Sequence, residues 1–286
     1  MGQLRTYRKK IKSAKNIAKL TKAMQMVAAS KMRRAQDMAI SGKDYANGLS
    51  ELTKLLTNYL DPKVFPLLSS HEAGGKELVV VIAPEKGLCG SLTTNIQKKI
   101  YRLYSGDFSK VEFLVVGKKA KKIVSNFGAK IVAEFSVGVS KPSYEIVPTI
   151  AKIIQDKFLS LEIEKVYVVY SEFINTMKQE PLRHAILPLK IVELTDVISE
   201  GHGESEFIFE PSAHDITAGL LGRYLEVVLY HLILESYASE QSARMVAMKN
   251  ATDNARGLIS DLTLSFNKER QSAITSEILD VSSRSN

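Results

Sequence analysis

Proline is absent from both ends of this chain. The first proline is Pro62 and the last is Pro211, so residues 2–60 and 212–286 lack the residue that most strongly interrupts a helix. An α-helix rises about 1.5 Å per residue, so these segments could form rods of roughly 90 Å and 110 Å. Pro211 and Ser212 mark a plausible start for the second rod. We therefore predict two long terminal helices that pack on each other or on a partner.

Apolar and small residues recur at coiled-coil spacing in both segments. In the C-terminal segment one uncharged stripe alternates steps of three and four: Met245, Met248, Thr252, Ala255, Ile259, Leu262 and Phe266. In the N-terminal segment the same spacing gives Ile17, Leu20, Met24 and Val27, continued one position round the helix by Ala28, Met32, Ala35 and Ala39. This spacing is typical of a coiled-coil seam. The two stripes predict antiparallel packing of the two helices.

Positive charge is concentrated on the first predicted helix. The chain has a formal net charge of +8, and residues 1–60 hold 13 Lys and Arg against 3 Asp and Glu, whereas residues 208–286 hold 7 against 10. Opposite net charges favour packing of the two helices on each other. A basic helix is also typical of proteins that bind nucleic acid, an acidic membrane surface or an acidic protein collar.

The middle of the chain alternates apolar runs with helical stretches. Five runs rich in Val, Ile and Phe are predicted to be strands: 77–83, 111–117, 130–135, 165–173 and 185–193. The helices predicted between them are 91–103, 118–126 and 144–159. This alternation is typical of βαβ units and a largely parallel sheet. The predicted fold is α/β: an antiparallel coiled coil of the terminal helices, 1–60 and 208–286, and a Rossmann-like globular domain, 76–195.

The sequence lacks the motifs of a nucleotide or metal enzyme. The turn 86–90 (KGLCG) stands where dinucleotide folds hold a pyrophosphate, but neither G-x-G-x-x-G nor G-x-x-x-x-G-K-[ST] is present. The five histidines are scattered, and one cysteine, Cys89, cannot complete a zinc set. No apolar run is long enough to span a bilayer. We expect no cofactor, no metal and no catalytic residue, and only indirect membrane association.

Five short blocks occur in order along almost the whole chain. They are residues 21–32 (TKAMQMVAASKM), 87–90 (GLCG), 173–177 (FINTM), 239–255 (SEQSARMVAMKNATDNA) and 267–277 (NKERQSAITSE). Together they resemble the gamma subunit family of F-type ATP synthases. The resemblance implies that the coiled coil is a central rotor shaft inside a ring of alpha and beta subunits. It also implies that the globular part rests, with an epsilon subunit, on a membrane ring of c subunits.

The resemblance also implies roles for individual residues. Arg270 and Gln271 would contact a loop of a beta subunit, with Thr275 in the same region. Met24 would face an acidic beta-subunit segment, and Lys86 would be a basic residue that touches beta. These five residues are the beta-subunit contacts expected from the sequence.

A second contact and a location follow from the same resemblance. Phe207, Phe209 and Glu210 match the segment that lies over the polar loops of the c ring. The chain is expected to be a non-catalytic bacterial subunit that couples ion translocation to ATP synthesis or hydrolysis, peripheral on the cytoplasmic face of the inner membrane. The last residues, 280–286, depart from the usual family ending, and no inserted cysteine pair is present, so thiol regulation is not implied.

Two alternatives belong to other classes of protein. The first is a basic coiled-coil protein that binds nucleic acid through residues 5–34, although Tyr7 is the only aromatic residue among those charges. The second is a Rossmann-type enzyme with helical arms, which requires a ligand in the middle domain.

Overall fold

The computed structural model describes residues 2–42, 45, 48–49, 52–53, 65–69, 75–138, 142–189 and 212–284. The helices are α1 Gly2–Ser41, α2 Leu92–Tyr104, α3 Lys118–Asn126, α4 Val147–Leu159 and α5 Ala213–Arg284, with a 3₁₀ turn at Tyr144–Ile146. The strands are β1 Glu77–Ile82, β2 Val111–Val116, β3 Lys130–Phe135, β4 Lys165–Phe173 and β5 Gln179–Leu187. The chain forms two compact units, one of residues 1–30 with 244–286 and the other of residues 31–243.

The larger unit contains a five-stranded sheet in the order β3-β2-β1-β4-β5. Strands β1 to β4 are mutually parallel, as the alternation of apolar runs and helices predicts. The predicted boundaries of α2, α3, β3 and β4 agree with the structure to within one residue. The α/β prediction for this part of the chain is therefore confirmed.

The last strand differs from its prediction. The predicted strand 185–193 is wrong in its bounds, because β5 runs over Gln179–Leu187. It pairs antiparallel with β4 at the edge of the otherwise parallel sheet. Its first residues are polar and include Pro181, which an edge strand tolerates because one side of its backbone needs no partner. The apolar pattern therefore identified only the last residues of β5, 185–187. Residues 190–193 lie outside the described residues.

Two apolar cores cover the two faces of the sheet. Alternate residues of β1 point to opposite faces, so Leu78 and Val80 belong to one core and Val79 and Val81 to the other. The first core also contains buried residues of α4 and α5, among them Ile150, Ile154, Phe158, Leu221, Leu225, Leu229 and Leu232. The second contains buried residues of α2 and α3, among them Ile96, Ile100, Ala120, Ile123 and Val124. The sheet is thus the middle layer of three.

In the smaller unit α1 and α5 pack antiparallel. Thr21 and Thr252 face each other with their hydroxyl oxygens 2.7 Å apart, and the Arg8 guanidinium lies 5.4 Å from the centre of the Phe266 ring. As the residue numbers increase along α1, the numbers of the contacting residues on α5 decrease, so the two helices run in opposite directions. The seam predicted on α5 from Met245 to Phe266 is buried or half-buried throughout. The predicted antiparallel coiled coil is confirmed.

The seam predicted on the first part of α1 is wrong. Ile17, Leu20 and Val27 are 51%, 62% and 56% exposed. The residues that cover the seam also follow steps of three and four: Leu4, Tyr7, Ile11, Ala14, Ala18, Thr21, Gln25 and Ala28. From Ala14 to Ala28 most of these side chains are small, which allows the two helix backbones to approach, while Ile17, Leu20 and Val27 lie outside the seam. In the larger unit the prediction for Ala35 is confirmed, because Ala35 is buried with Tyr237 and Ala238.

The ends of the long helices can be compared with the predicted shafts. Helix α1 ends at Ser41, whose hydroxyl donates to the Met38 carbonyl oxygen at 3.0 Å. Tyr45, residues 48–49 and residues 52–53 are again helical, and the rest of 43–60 lies outside the described residues. Helix α5 begins at Ala213, directly after Ser212, and continues to Arg284. The domain boundaries 1–60, 76–195 and 208–286 remain predictions.

Candidate functional site

Helix α5 fills the position where a doubly wound sheet usually binds a ligand. That position lies outside the carboxyl ends of the strands where the strand order reverses, here between β1 and β4. The Ser242 hydroxyl donates to the carbonyl oxygen of Thr176, just beyond β4, at 2.8 Å. Ala243 packs against the apolar core that includes Cys89. The crevice is therefore occupied by the protein's own helix.

The loop after β1 is held in place by contacts with the ends of the neighbouring strands. Gly117 has a φ of 100°, and a Cβ atom there would lie 2.0 Å from the Ala83 carbonyl oxygen, so only glycine fits this junction. The Glu85 carboxylate accepts hydrogen bonds from the Ser136 hydroxyl at 2.7 Å and the Val137 backbone N–H at 3.1 Å. These contacts tie together the ends of β1, β2 and β3. Lys86 follows Glu85 and is exposed.

Within the described residues, no three His, Cys, Asp or Glu side chains come close enough together to hold a metal ion. None of the helices in the described ranges combines the length and the apolar character needed to cross a bilayer.

The outer surface of α1 in the smaller unit has an apolar stripe beside the seam. The stripe consists of Ile17, Leu20 and Val27, with the half-buried Met24 between the stripe and the seam. Steps of three and four place these four side chains on one helical face. Contiguous exposed apolar residues are typical of protein–protein contacts. We name this group the apolar stripe.

A groove with cationic walls occurs on the same pair of helices. It has a volume of about 330 Å³ and is lined by Ala18, Lys19, Lys22, Ala23, Met26 and Arg256. Three of the six lining residues carry positive charge, and Ala18, Ala23 and Met26 give apolar surface. The shaft therefore offers an acidic partner a groove that combines charge and apolar contact. Sequence reasoning missed Arg256, because an isolated cation on a helix carries no periodic signal.

The predicted contact residues of the C-terminal tip lie near and beyond the level of the first described residue of α1. Counting from Arg8 beside Phe266 places Gly2, the first described residue of α1, near Gln271. Arg270, Gln271 and Thr275 are exposed on α5, and the Thr275 hydroxyl donates to the Gln271 carbonyl oxygen at 3.0 Å. Later apolar residues of the tip, including Ile274 and Leu279, are also exposed.

The predicted contact residues therefore fall into separate groups. Arg270, Gln271 and Thr275 share the tip, Met24 lies beside the apolar stripe, and Lys86 belongs to the larger unit. Phe207, Phe209 and Glu210 lie outside the described residues. The basic residues of α1 from Arg5 to Lys22 are exposed along the paired helix.

Comparison with known proteins covers almost the entire chain. A family profile described as "ATP synthase" matches residues 3–285. An ATP synthase gamma chain of Dehalococcoides mccartyi strain CBDB1 is 39% identical over 284 residues, which is 98% of this chain and 97% of the relative. The chain belongs to the ATP synthase gamma chain family. The gamma chain of Nitrosomonas europaea is 36% identical over 291 residues, covering 98% of each chain.

Solved ATP synthases contain chains of the same fold as this gamma chain family member. A chain of the Tetrahymena thermophila mitochondrial ATP synthase central stalk and c-ring structure has a TM-score of 0.61 and 26% identity, covering 81% of this chain and 99% of that one. A chain of the Euglena gracilis mitochondrial ATP synthase rotor has a TM-score of 0.62 and 18% identity, covering 96% and 99%. These relatives give no support to the nucleic-acid alternative.

Proposed function

We propose that this chain is the central-stalk rotor subunit of a bacterial ATP synthase. It couples ion translocation through the membrane sector to ATP synthesis or hydrolysis at the beta subunits. The observation that carries this proposal is the pair of helices, α1 and α5, in the smaller unit. Its small-residue seam holds two helices together, while the apolar stripe, the cationic groove and the exposed tip are left outside for surrounding subunits.

The paired helix is asymmetric, and this asymmetry supplies the mechanism. A partner that meets the apolar stripe loses water from Ile17, Leu20 and Val27, whereas a partner that meets the groove faces Lys19, Lys22 and Arg256. Three equivalent beta subunits around such a shaft make different contacts at any one angle. Differential contact shifts the conformational populations of a partner, so rotation changes the state of each beta subunit in turn.

Five residues are proposed to contact the beta subunits. Arg270 and Gln271 are exposed on α5 near the level of the first described residue of α1, and Thr275 lies one turn further on. A guanidinium makes directional, charge-assisted hydrogen bonds that can be exchanged as the angle changes. Met24, beside the apolar stripe, provides an uncharged contact that can slide. Lys86 is proposed to add a charge contact from the larger unit.

The larger unit is proposed to be the foot of the rotor. Its partners are the epsilon subunit and the c-subunit ring, with Phe207, Phe209 and Glu210 as the c-ring contacts, and the alpha subunits surround the shaft with beta. The subunit then lies peripherally on the cytoplasmic face of the inner membrane. We propose that it is non-catalytic, and the filling of the sheet crevice by Ser242 and Ala243 supports that role.

Reconstitution tests the proposal. The chain is combined with alpha, beta and epsilon subunits and the c ring in vesicles, and ATP synthesis driven by an ion gradient is measured. Arg270→Ala with Gln271→Ala should lower synthesis roughly fivefold, a change of about 1 kcal/mol in coupling, with the helix content of the isolated chain unchanged. Lys268→Ala, an exposed cation of the same tip, is the matched control. Synthesis that persists without the chain would refute the proposed function.

A further inference from the structure

We propose that the β4–β5 hairpin is a clamp that prevents α5 from rolling against the sheet, with Gln179, Ser242 and Glu235 as its positioning residues. The clamp deepens the proposed function, because a rotor must transmit torque between its foot and its shaft. All of these residues belong to the larger unit. The proposal rests on two polar contacts to one face of α5.

The hairpin that forms the clamp has a rigid turn. The side-chain oxygen of Asn175 accepts hydrogen bonds from the backbone N–H groups of Met177 and Lys178, each at 2.9 Å. The Asn175 and Lys178 backbones also bond to each other, at 3.1 and 3.2 Å. A turn held by its own side chain and backbone keeps the Thr176 carbonyl in a fixed position.

The first contact joins this turn to α5. The Ser242 hydroxyl is completely buried and donates to the Thr176 carbonyl oxygen at 2.8 Å. The Gln179 amide nitrogen lies 3.3 Å from the Ser242 hydroxyl oxygen, to which it donates, and 3.0 Å from the carbonyl oxygens of Asn175 and Thr176. The Ser242 hydroxyl therefore both donates and accepts, which fixes its orientation.

The second contact lies two helical turns away. The Glu235 carboxylate accepts a hydrogen bond from the Phe173 backbone N–H at 3.2 Å, at the end of β4. The Tyr170 hydroxyl also donates to Glu235, and burial followed by the Glu235 charge raises the pKa of that tyrosine. Residues seven apart share a helical face and lie about 10 Å apart along the axis. Two contacts at this separation define the angle of α5.

Apolar packing alone would not define that angle. The other contacts of α5 in this unit include the apolar packing of Leu221, Leu225, Leu229, Leu232 and Ile233, and the hydrogen bond that the Tyr144 hydroxyl donates to Glu226, nine residues before Glu235. Apolar burial is non-directional, whereas a hydrogen bond weakens steeply with distance and angle. A side-chain atom lies about 5 Å from the helix axis, so a roll of about 20° moves it by about 1.7 Å. That movement breaks the bond from Ser242 to Thr176 while the leucines remain buried.

Ser239 supplies a matched control on the same face. It is completely buried, as Ser242 is, but within the described part of the chain its hydroxyl has no hydrogen-bond partner. Ser239→Ala and Ser242→Ala therefore remove the same atom from the same helix, and only the second removes a clamp contact. Ser242→Thr keeps the hydroxyl and should restore the function that Ser242→Ala loses.

The test uses the complete enzyme in vesicles. One measurement is the number of ions pumped per ATP hydrolysed. The other is the torsional stiffness of the rotor, obtained from the angular fluctuations of a bead on the foot with the head immobilised. Ser242→Ala with Gln179→Ala should lower the torsional stiffness at least about twofold, because both side chains of the first contact are removed and a hydrogen bond weakens steeply with distance and angle. Pumping per ATP should fall in parallel, while Ser239→Ala leaves both unchanged.

Two outcomes would overturn the clamp. The first is unchanged stiffness and pumping in the double variant, and the second is an equal loss in Ser239→Ala, which would assign the effect to packing. A complex with unaltered chain that hydrolyses ATP without rotating would instead refute the proposed function. The two failures are therefore distinguishable. If the double variant does not assemble, Glu235→Ala tests the second contact instead, because it removes the acceptor of the Phe173 backbone N–H; unchanged stiffness there also counts against the clamp.

Discussion

The buried threonine pair of the coiled coil gives a quantitative test of its register. Thr21 and Thr252 are 9% and 2% exposed, and their hydroxyl oxygens are 2.7 Å apart. Each oxygen also lies within hydrogen-bonding distance of a carbonyl on its own helix, Ile17 at 3.0 Å and Met248 at 2.8 Å. The Thr21 hydroxyl also lies 3.3 Å from the Ala18 carbonyl oxygen, so two hydroxyl protons serve four possible bonds. The 2.7 Å separation of the two hydroxyl oxygens assigns one proton to the bond across the seam and leaves the other for a carbonyl on its own helix.

The expected energies follow from this count. Thr21→Val removes the bond across the seam but leaves Thr252 able to donate to Met248, so it should lower the free energy of unfolding by about 1 kcal/mol. Thr252→Val should cost a similar amount. The double variant replaces both hydroxyls by methyl groups of the same shape and should cost little more than either single variant. The coupling energy of the pair is then about 1 kcal/mol.

Urea unfolding of the isolated chain, followed by helical circular dichroism, measures the four free energies of this double-mutant cycle. Ser substitutions at both positions keep the hydroxyls and serve as controls. If the costs of the two Val substitutions simply add, the hydroxyls do not interact across the seam and the reasoning is wrong.

Three further predictions follow from contacts of the same structure. Ile17→Ser, which alters the apolar stripe, should change the free energy of unfolding by less than about 0.5 kcal/mol. Ala28→Leu, which overpacks the seam, should lower it by about 1–3 kcal/mol. Equal losses in urea unfolding would contradict the assignment of Ala28 to the seam and Ile17 to the outer surface. Arg183→Ala should destabilise the larger unit by about 2 kcal/mol in thermal unfolding, because its guanidinium lies 3.5 Å from the Tyr167 ring centre and 3.0 Å from Glu77. Burial, and then the hydrogen bond to Glu226, raise the pKa of Tyr144 from 10.0 to about 12. The stabilisation that the Tyr144 hydroxyl provides is therefore present below pH 10 and lost between pH 10 and 12. The difference in free energy of unfolding between the unsubstituted protein and Tyr144→Phe should fall to near zero over that range. A difference that does not change with pH would contradict the raised pKa.

The elements that the sequence predicted well have strong apolar signals. Strands β1 to β4 are apolar runs bounded by turns, and the seam of α5 repeats bulky residues such as Met248 and Ile259. On α1 the apolar pattern predicted the wrong seam, because Ile17 and Leu20 are more apolar than the alanines and threonine that pack in the seam. Hydrophobicity alone therefore does not identify this seam, because close packing of two helices selects small side chains.

The remaining features could not be predicted because they depend on distant polar residues. Gln179 and Ser242 are ordinary polar residues sixty-three positions apart, and only the fold brings them together. Strand β5 begins with polar residues that suit an edge but carry no strand signal. The proposed contact residues came from the resemblance to a family and not from periodicity, so their roles await the experiments above.

The seam repeat in the smaller unit has a mechanical consequence. Steps of three and four average 3.5 residues per turn, slightly less than the 3.6 of a straight helix, and a seam of this kind winds two helices into a left-handed supercoil. Torque of one sense tightens such a supercoil, and torque of the other sense unwinds it. In the proposed rotor the driving torque enters at the foot during synthesis and at the head during hydrolysis, so the twist along the shaft has the same sense in both, and the handedness of the seam decides whether that load tightens or unwinds the contacts around the threonine pair. The handedness of the winding therefore makes the shaft a spring with two unequal stiffnesses.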